Sequence, residues 1–428
     1  MVVKSARMLL AAVLAVCLVA GVAAAGEKIR VVASNNAWVT AMESLIPEFE
    51  KETGIKVELE KYYDDQLTQK ITVEFAAGGN NMDVFMMRPL QEAKMFARNK
   101  WCEDLLPWAE KTPGYDMDDY TPASIQSTRI DGYQTCIPVM AECHMLYYRK
   151  DLYEEKGLKV PETFEELEAN AKALTDRAAG KFGFTSRGQR NALVTQFSTY
   201  LYSFGGDFFD AKADKALVDT PEFKAATEYY GRMLKDYAPP GVLNMGWMQA
   251  MANFQQGTTA MYADASTQMP MLLDPKQSPF AEVTGFAMMP AGPAGRRIYD
   301  ITPWAIAMSA TGSKKEAAWK FISFVTDKKR TTHIQGEFAS QCCRMSVNND
   351  PEGIKNFPKQ WSESVRETAQ YGVGYDRPLV TAVQQARDII GEPVTIAIEG
   401  KDFSAAQKRA QQLFQELLDR EKAEREGK

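Results

Sequence analysis

The chain has 428 residues, 45% of them apolar and 25% charged, with a net charge of −6. That length exceeds what one hydrophobic core organises, so two lobes are expected. The acidic balance argues against nucleic acid and against electrostatic docking on anionic lipid, and the composition is that of a soluble globular protein.

At the N-terminus, Lys4 and Arg7 precede an apolar run from Met8 to Val22, and Ala23-Ala24-Ala25 places small residues before Gly26. This pattern predicts a cleaved secretory signal peptide over residues 1–25. The run is short of the ~20 apolar residues that span a bilayer. Cys17 follows Val16, where a lipid-modified cysteine would need a small residue. A periplasmic or extracellular location is therefore expected.

KIRVVAS reads as a first strand. Trp38, Met42, Leu45 and Phe49 then fall at helical spacing, ending near Gly54, with a predicted kink at Pro47. IKVELEKY alternates as a second strand, and Leu67, Ile71 and Phe75 mark a helix that stops at Gly78-Gly79. MDVFMM is a short buried strand, followed by the helix PLQEAKMFARNK with Pro89 at its start. The β-α-β-α-β order predicts a largely parallel, doubly wound sheet.

The alternation restarts at TCIPVMAE and HMLYYRK, both extended. Helices are predicted over 163–178, 191–204 and 221–236, with KFGFTS as a strand between the first two. GTTAMYAD, VTGFAMMP and TPWAIAMSA are further strands, and KKEAAWKFISFVTD is a helix. The last segment, Phe403 to Glu424, carries Ala406, Ala410, Leu413 and Leu417 on one side.

Enzyme signatures are missing. G-x-S-x-G, P-loop and H-E-x-x-H motifs do not occur, and Gly78-Gly79 and Gly205-Gly206 lack a dinucleotide pattern. No cofactor and no catalytic residue are expected. A glycosidase carboxylate pair is the remaining enzyme reading, because its geometry is not encoded in spacing. With only His144 and His333 and no C-x-x-C, no metal centre is expected. His144 is expected to be a packed or surface residue. Besides Cys17 there are Cys102, Cys136, Cys143, Cys342 and Cys343, an odd number. Pairing of Cys102 with Cys136 or Cys143, a vicinal Cys342–Cys343 bridge, and buried free thiols are the alternatives.

The stretch YYRKDLYEEKGLKVPETFEEL, Tyr147 to Leu167, has Pro138 and Glu142 upstream and AKALT after it. It resembles the extracellular solute-binding proteins of ATP-driven (ABC) uptake systems, in the carbohydrate-binding group, family 1. IPEFEKETGIKVELE, LTQKITVEFAAGGNNMDVF, FQQGTTAMYADAS and KKEAAWKFISFVT continue the resemblance in the family's order. SRGQRNALVTQFSTYLYSFGGDFFD, YADAS, DPKQSPFAEVTGF and WAIAMSA are similar to the branch that binds sugar alcohols and related monosaccharides. Gln341-Cys342-Cys343-Arg344 departs from that branch, which shows P-S-R there.

The resemblance implies an α/β periplasmic-binding-protein type II fold, two doubly wound lobes joined by a multi-strand hinge. Lobe 1 is expected over 26–139 plus about 301–341, and lobe 2 over about 140–300 plus 342–428, with crossings near 139–142, 300–304 and 340–346. A carbohydrate would bind in the interlobe cleft of a monomer and pass to an ABC permease. An oligosaccharide or a polyamine is the alternative ligand.

A polyol needs bidentate polar groups for adjacent hydroxyls and planar side chains for its C–H faces. From the matching motifs, the leading site residues are Glu142, Arg187, Asp264 and Trp304. Asn36, Tyr63, Asp64, Phe209, Trp247 and Arg344 follow, placed by loops after strands or by lobe crossings. Each has an ordinary reading beside it: Trp304 as core, Arg187 as a surface loop charge, Asp264 as a helix cap, Glu142 as the partner of a base. Tyr147 and Tyr148 alternate faces and are expected to be packing.

Overall fold

A computed structural model describes residues 27–426, apart from the side chains of Asp64 and Asp65. The signal peptide expected over 1–25 lies outside the described residues. The chain opens with strand β1 (Lys28–Ser34), helix α1 (Ala37–Thr53), β2 (Lys56–Tyr62), α2 (Asp64–Ala76) and β3 (Val84–Met87). Asn36 caps α1 by accepting from the Val39 N–H at 3.0 Å. Gly54 ends the helix at φ 73°, a left-handed conformation in which a Cβ would be strained. The helix is continuous across Pro47.

β1 pairs in parallel with both β2 and β3. The two segments predicted after Thr135 form one strand, β4 (Ile137–Arg149), 13 residues long. β5 (Met261–Ala265) and β6 (Thr284–Met288) both pair antiparallel with its second half. β7 (Ile298–Met308) pairs antiparallel with β4 and, through its last residues, with β3. All of these lie in one eight-stranded sheet, with the short β8 (Gly372–Val373) against the start of β7. The β4–β7 register shifts on both sides of Trp304. Such irregularity bends paired strands locally.

Two large cores flank this crossing. One gathers Trp38, Phe49, Phe85, Phe96, Ile306 and Phe321. The other gathers Phe164, Phe197, Tyr200, Tyr230, Ile390 and Phe414. β4 contributes Ile137 and Val139 to the first and Leu146 and Tyr148 to the second. β7 runs the opposite way, from Ile298 in the second to Ala305–Met308 in the first. Both strands therefore tie the lobes together through backbone hydrogen bonds, while each lobe keeps its own apolar interior.

Tyr147 stacks on Tyr262 at 5.7 Å and Tyr148 packs on Tyr153 at 4.8 Å, so both are scaffold. The helix after them stops at Gly157, φ 63°. The next opens at Thr163, whose hydroxyl accepts from the Glu166 N–H at 3.2 Å. It ends at Ala173, short of the predicted boundary. KFGFTS is not a regular strand. Phe182 and Thr185 bridge to Thr259 and Tyr262, but the Phe184 N–H turns away to the Tyr237 carbonyl at 3.1 Å. Cys102, Cys136, Cys143, Cys342 and Cys343 are all free thiols, which sets aside both disulfide alternatives.

Candidate ligand-binding site

Asp264 sits near the end of β5 and is fully buried. A buried carboxylate needs partners, and it has four. Arg187 donates from Nε to Oδ2 at 2.9 Å and from Nη2 to Oδ1 at 2.5 Å. Gln196 and Gln268 donate to Oδ1 at 2.8 and 3.1 Å, and the Ala265 N–H does so at 2.7 Å. Asp264 is thus fully engaged: it fixes the Arg187 fork and is neither a helix cap nor an open acceptor. Burial alone would pull the Arg187 pKa down, but Asp264 reverses that and raises it.

Glu142 lies on β4 opposite Ile301 of β7, at the crossing between lobes. Its Oε2 accepts from the Thr267 hydroxyl at 3.1 Å, and Oε1 has no partner among the described residues. Burial pushes its pKa up to about 7, Asp264 and Asp376 push the same way, and Arg187 opposes them. Burial likewise lifts the neighbouring Asp300 to about 7. Tyr299 carries a buried hydroxyl without a hydrogen-bond partner among the described residues, and the charges of Glu142, Asp264 and Arg187 all act on it. His144 stacks on the Tyr299 ring at 5.1 Å, and burial depresses its pKa to about 3, so it is a neutral packing residue. Arg187 Nη1 also has no hydrogen-bond acceptor among the described residues.

Residues of both lobes meet beside this group. Leu90 packs with Tyr299 and Ile301, alongside Tyr375 and Leu379. Arg377 donates to the Gln91 side chain at 3.1 Å and is paired with Asp376 at 2.5 Å. Arg377 and Arg387 both point at the Thr195 hydroxyl, at 3.4 and 3.1 Å. The segment Tyr375–Arg377, together with Thr195, Gln196, Tyr299 and Arg387, escaped the sequence reading. Its only local signal is a Tyr-Asp-Arg-Pro run in an irregular segment before a helix.

Of the expected site residues, the structure brings Glu142, Arg187 and Asp264 together. Trp304 is 8% exposed within the first core, with the Arg88 guanidinium over its ring at 5.9 Å. Trp247 stands at the edge: its carbonyl accepts from Tyr262 Oη at 3.2 Å, and Tyr262 in turn bonds Gln268, a partner of Asp264. Asn36 is occupied as the cap of α1, with its amide nitrogen buried and without a hydrogen-bond partner among the described residues. Tyr63 is exposed just before α2, and Asp64, the first residue of α2, has its side chain outside the description.

Two residues belong elsewhere. Phe209 packs edge-on against Phe414 at 6.0 Å, at the margin of the second core. Arg344 is buried and anchors lobe 1, donating to the Thr326 and Asp116 carbonyls at 3.0 and 2.9 Å, with its guanidinium 4.3 Å from the Tyr120 ring. Its Nε and Nη1 are engaged with the Thr326 and Asp116 carbonyls and Asp119.

Two α/β lobes joined by crossing strands, with buried charge between them, define a hinged binding protein of the periplasmic type II class. The chain belongs to the bacterial extracellular solute-binding protein family, whose profile matches residues 33–331. It is 28% identical over 350 residues to a mannitol-binding protein of Pseudomonas aeruginosa, covering 80% of this chain and 76% of that protein. It also matches a solute-binding protein of an ABC transporter from Agrobacterium radiobacter, solved with ribitol, at 28% identity and a TM-score of 0.81. A solute-binding protein from Agrobacterium vitis with bound D-mannitol matches at 26% identity and a TM-score of 0.77. Each alignment covers 92% of this chain and 99% of the solved one. The chain is accordingly a substrate receptor of ABC transport. Among the described residues no helix is long and apolar enough to cross a membrane.

Proposed function

We propose that this receptor captures a sugar alcohol, or a related monosaccharide, between its lobes and delivers it unchanged to an ABC permease. It does so as a monomer in the periplasm or at the cell exterior. The observation that carries this reading is the set of open polar groups at the crossing: Arg187 Nη1 as donor, Glu142 Oε1 as acceptor and Tyr299 Oη as either. Adjacent hydroxyls of a polyol can donate to the carboxylate and accept from the guanidinium at once. The ligands named for the mannitol- and ribitol-binding relatives support the same class.

A polyamine fits less well. Arg187, Arg377 and Arg387 surround the site, and each repels a dication. Catalysis has no support in the family, and the acid-base work of a glycosidase would need two open carboxylates flanking one bond. Asp264 is not open.

Lobe 1 as 26–139 with about 301–341, and lobe 2 as about 140–300 with 342–428, would close on the ligand about β4 and β7. The separate cores on either side of those strands support this division. A thermal-shift and calorimetric screen of mannitol, ribitol, erythritol, maltose and spermidine on ligand-stripped protein tests the proposal. Stabilisation by a polyol and none by spermidine is expected. Stabilisation by spermidine alone, or turnover of chromogenic glycosides, would overturn it.

A further inference from the structure

Glu421, in the helix Ser404–Arg425, belongs to lobe 2, where its neighbours Leu417 and Leu418 enter the second core. Its partners come from lobe 1. Lys94 Nζ lies 2.5 Å from its Oε1, and Arg98 Nη1 lies 3.1 Å from the same oxygen. Lys94 and Arg98 flank Phe96, a residue of the first core. The two cations also reach lobe 2 directly: Lys94 donates to the Leu379 carbonyl at 2.9 Å and Arg98 to the Thr381 hydroxyl at 2.6 Å. Thr381 completes the cluster by donating its N–H and hydroxyl to Glu421 at 3.2 and 2.9 Å.

We infer that the Lys94–Arg98–Glu421 cluster is an interlobe latch that holds the two lobes in the arrangement seen here and slows the release of bound solute. Beside it lies a cavity of about 210 Å³, lined by Leu90, Gln91 and Lys94 from one lobe and Leu379 and Val380 from the other. Beside the apolar cluster of Leu90, Tyr299, Ile301, Tyr375 and Leu379, the lobes are joined there by ionic and hydrogen-bonded groups. Glu421 is 6% exposed, so its carboxylate and the cations on it are partly shielded from solvent screening. Removing its charge abolishes the ionic attraction between lobe 2 and the two lobe 1 cations, Lys94 and Arg98, and so weakens the contact that resists opening of the hinge.

The latch goes beyond the ligand reading and is tested in two arms. Small-angle scattering follows lobe separation in the ligand-free full chain. Glu421→Gln is expected to raise the radius of gyration, whereas Glu424→Gln, an exposed neighbour on the same helix, is expected to leave it unchanged. Equal radii for wild type and Glu421→Gln would overturn the latch. Stopped-flow release of mannitol or ribitol is the second arm, with release about tenfold faster in Glu421→Gln expected. Unchanged or slower release would overturn it. The reciprocal variant Lys94→Glu/Glu421→Lys guards against a folding defect and is expected to move both readouts back towards wild type. Failure of that rescue in a folded double variant counts against the latch. A wild type that binds no polyol would refute the sugar-alcohol reading and leave the scattering arm to decide the latch.

Discussion

Arg187 and Asp264 form a bidentate ion pair, at 2.9 and 2.5 Å, in which the aspartate is fully buried and the guanidinium keeps one nitrogen open. The aspartate orients and the arginine binds, so the two residues separate in their effects. Arg187→Ala is expected to weaken polyol binding at least about thirtyfold, read by calorimetry. It also leaves Asp264 buried beside amides alone and lowers stability. Asp264→Ala is expected to cost about 3–5 kcal/mol in urea unfolding, because a buried guanidinium is left uncompensated. A binding loss with Asp264→Ala but none with Arg187→Ala would reverse the assignment.

Glu142 and Asp300 give the fold a defined pH response. Both carboxyl pKa values are raised to about 7 by burial. Between the ordinary carboxylate range and pH 7 the folded chain therefore binds more protons than the unfolded one. The contribution of these two groups is fully present below that window and is lost as pH rises through it, with the neutral His144 opposing them below its ordinary pKa. The melting temperature of ligand-free protein is expected to drop between pH 5 and pH 8. Glu142→Gln should remove part of the drop, raising stability at pH 8 by about 1–3 kcal/mol. A melting profile that stays flat or climbs over that range would contradict this.

Phe209 and Arg344 provide the opposite pattern. Phe209 supports Phe414 and Arg344 ties together carbonyls of lobe 1, and neither bonds to the open polar groups. Phe209→Ala and Arg344→Ala are each expected to cost about 2–4 kcal/mol in chemical denaturation. Folded variants should keep their polyol affinity within about twofold.

The thiols test the packing of the crossing. Burial pushes Cys136 and Cys342 up to about 12 and raises Cys143 and Cys343 as well. Since the thiolate is the nucleophile, these four are expected to resist iodoacetamide in the native state at pH 8 and to react once unfolded. Mass spectrometry counts the adducts. Fast native alkylation of Cys342 or Cys343 would show that the third crossing is open to solvent.

Much of the scaffold was legible because it is locally encoded. Period-two and period-3.6 patterns mark β1, α1, β2, α2 and the Lys315–Thr326 helix close to their observed bounds. The stop at Gly157 and restart at Thr163 are set by a left-handed glycine and a side-chain cap, both short-range effects. KFGFTS has strand composition, yet its ladder breaks where Phe184 bonds Tyr237, a partner remote in sequence. No window of residues could reveal that.

The site divides the same way. Residue type and motif position point to Glu142, Arg187 and Asp264 as a polar group, but not to their division of labour. Only the fold spends every accessible oxygen of Asp264 on protein donors while leaving Glu142 Oε1 and Arg187 Nη1 open. It also carries Tyr375–Arg377 and Glu421, from the last sixth of the chain, against Leu90–Arg98 from the first quarter. By itself the sequence determined the elements, the lobe count and the family, because these follow from periodicity, caps and motif order. The tertiary structure decided which charges are neutralised, which remain open and which join the lobes, because those depend on distance and burial across the crossing strands.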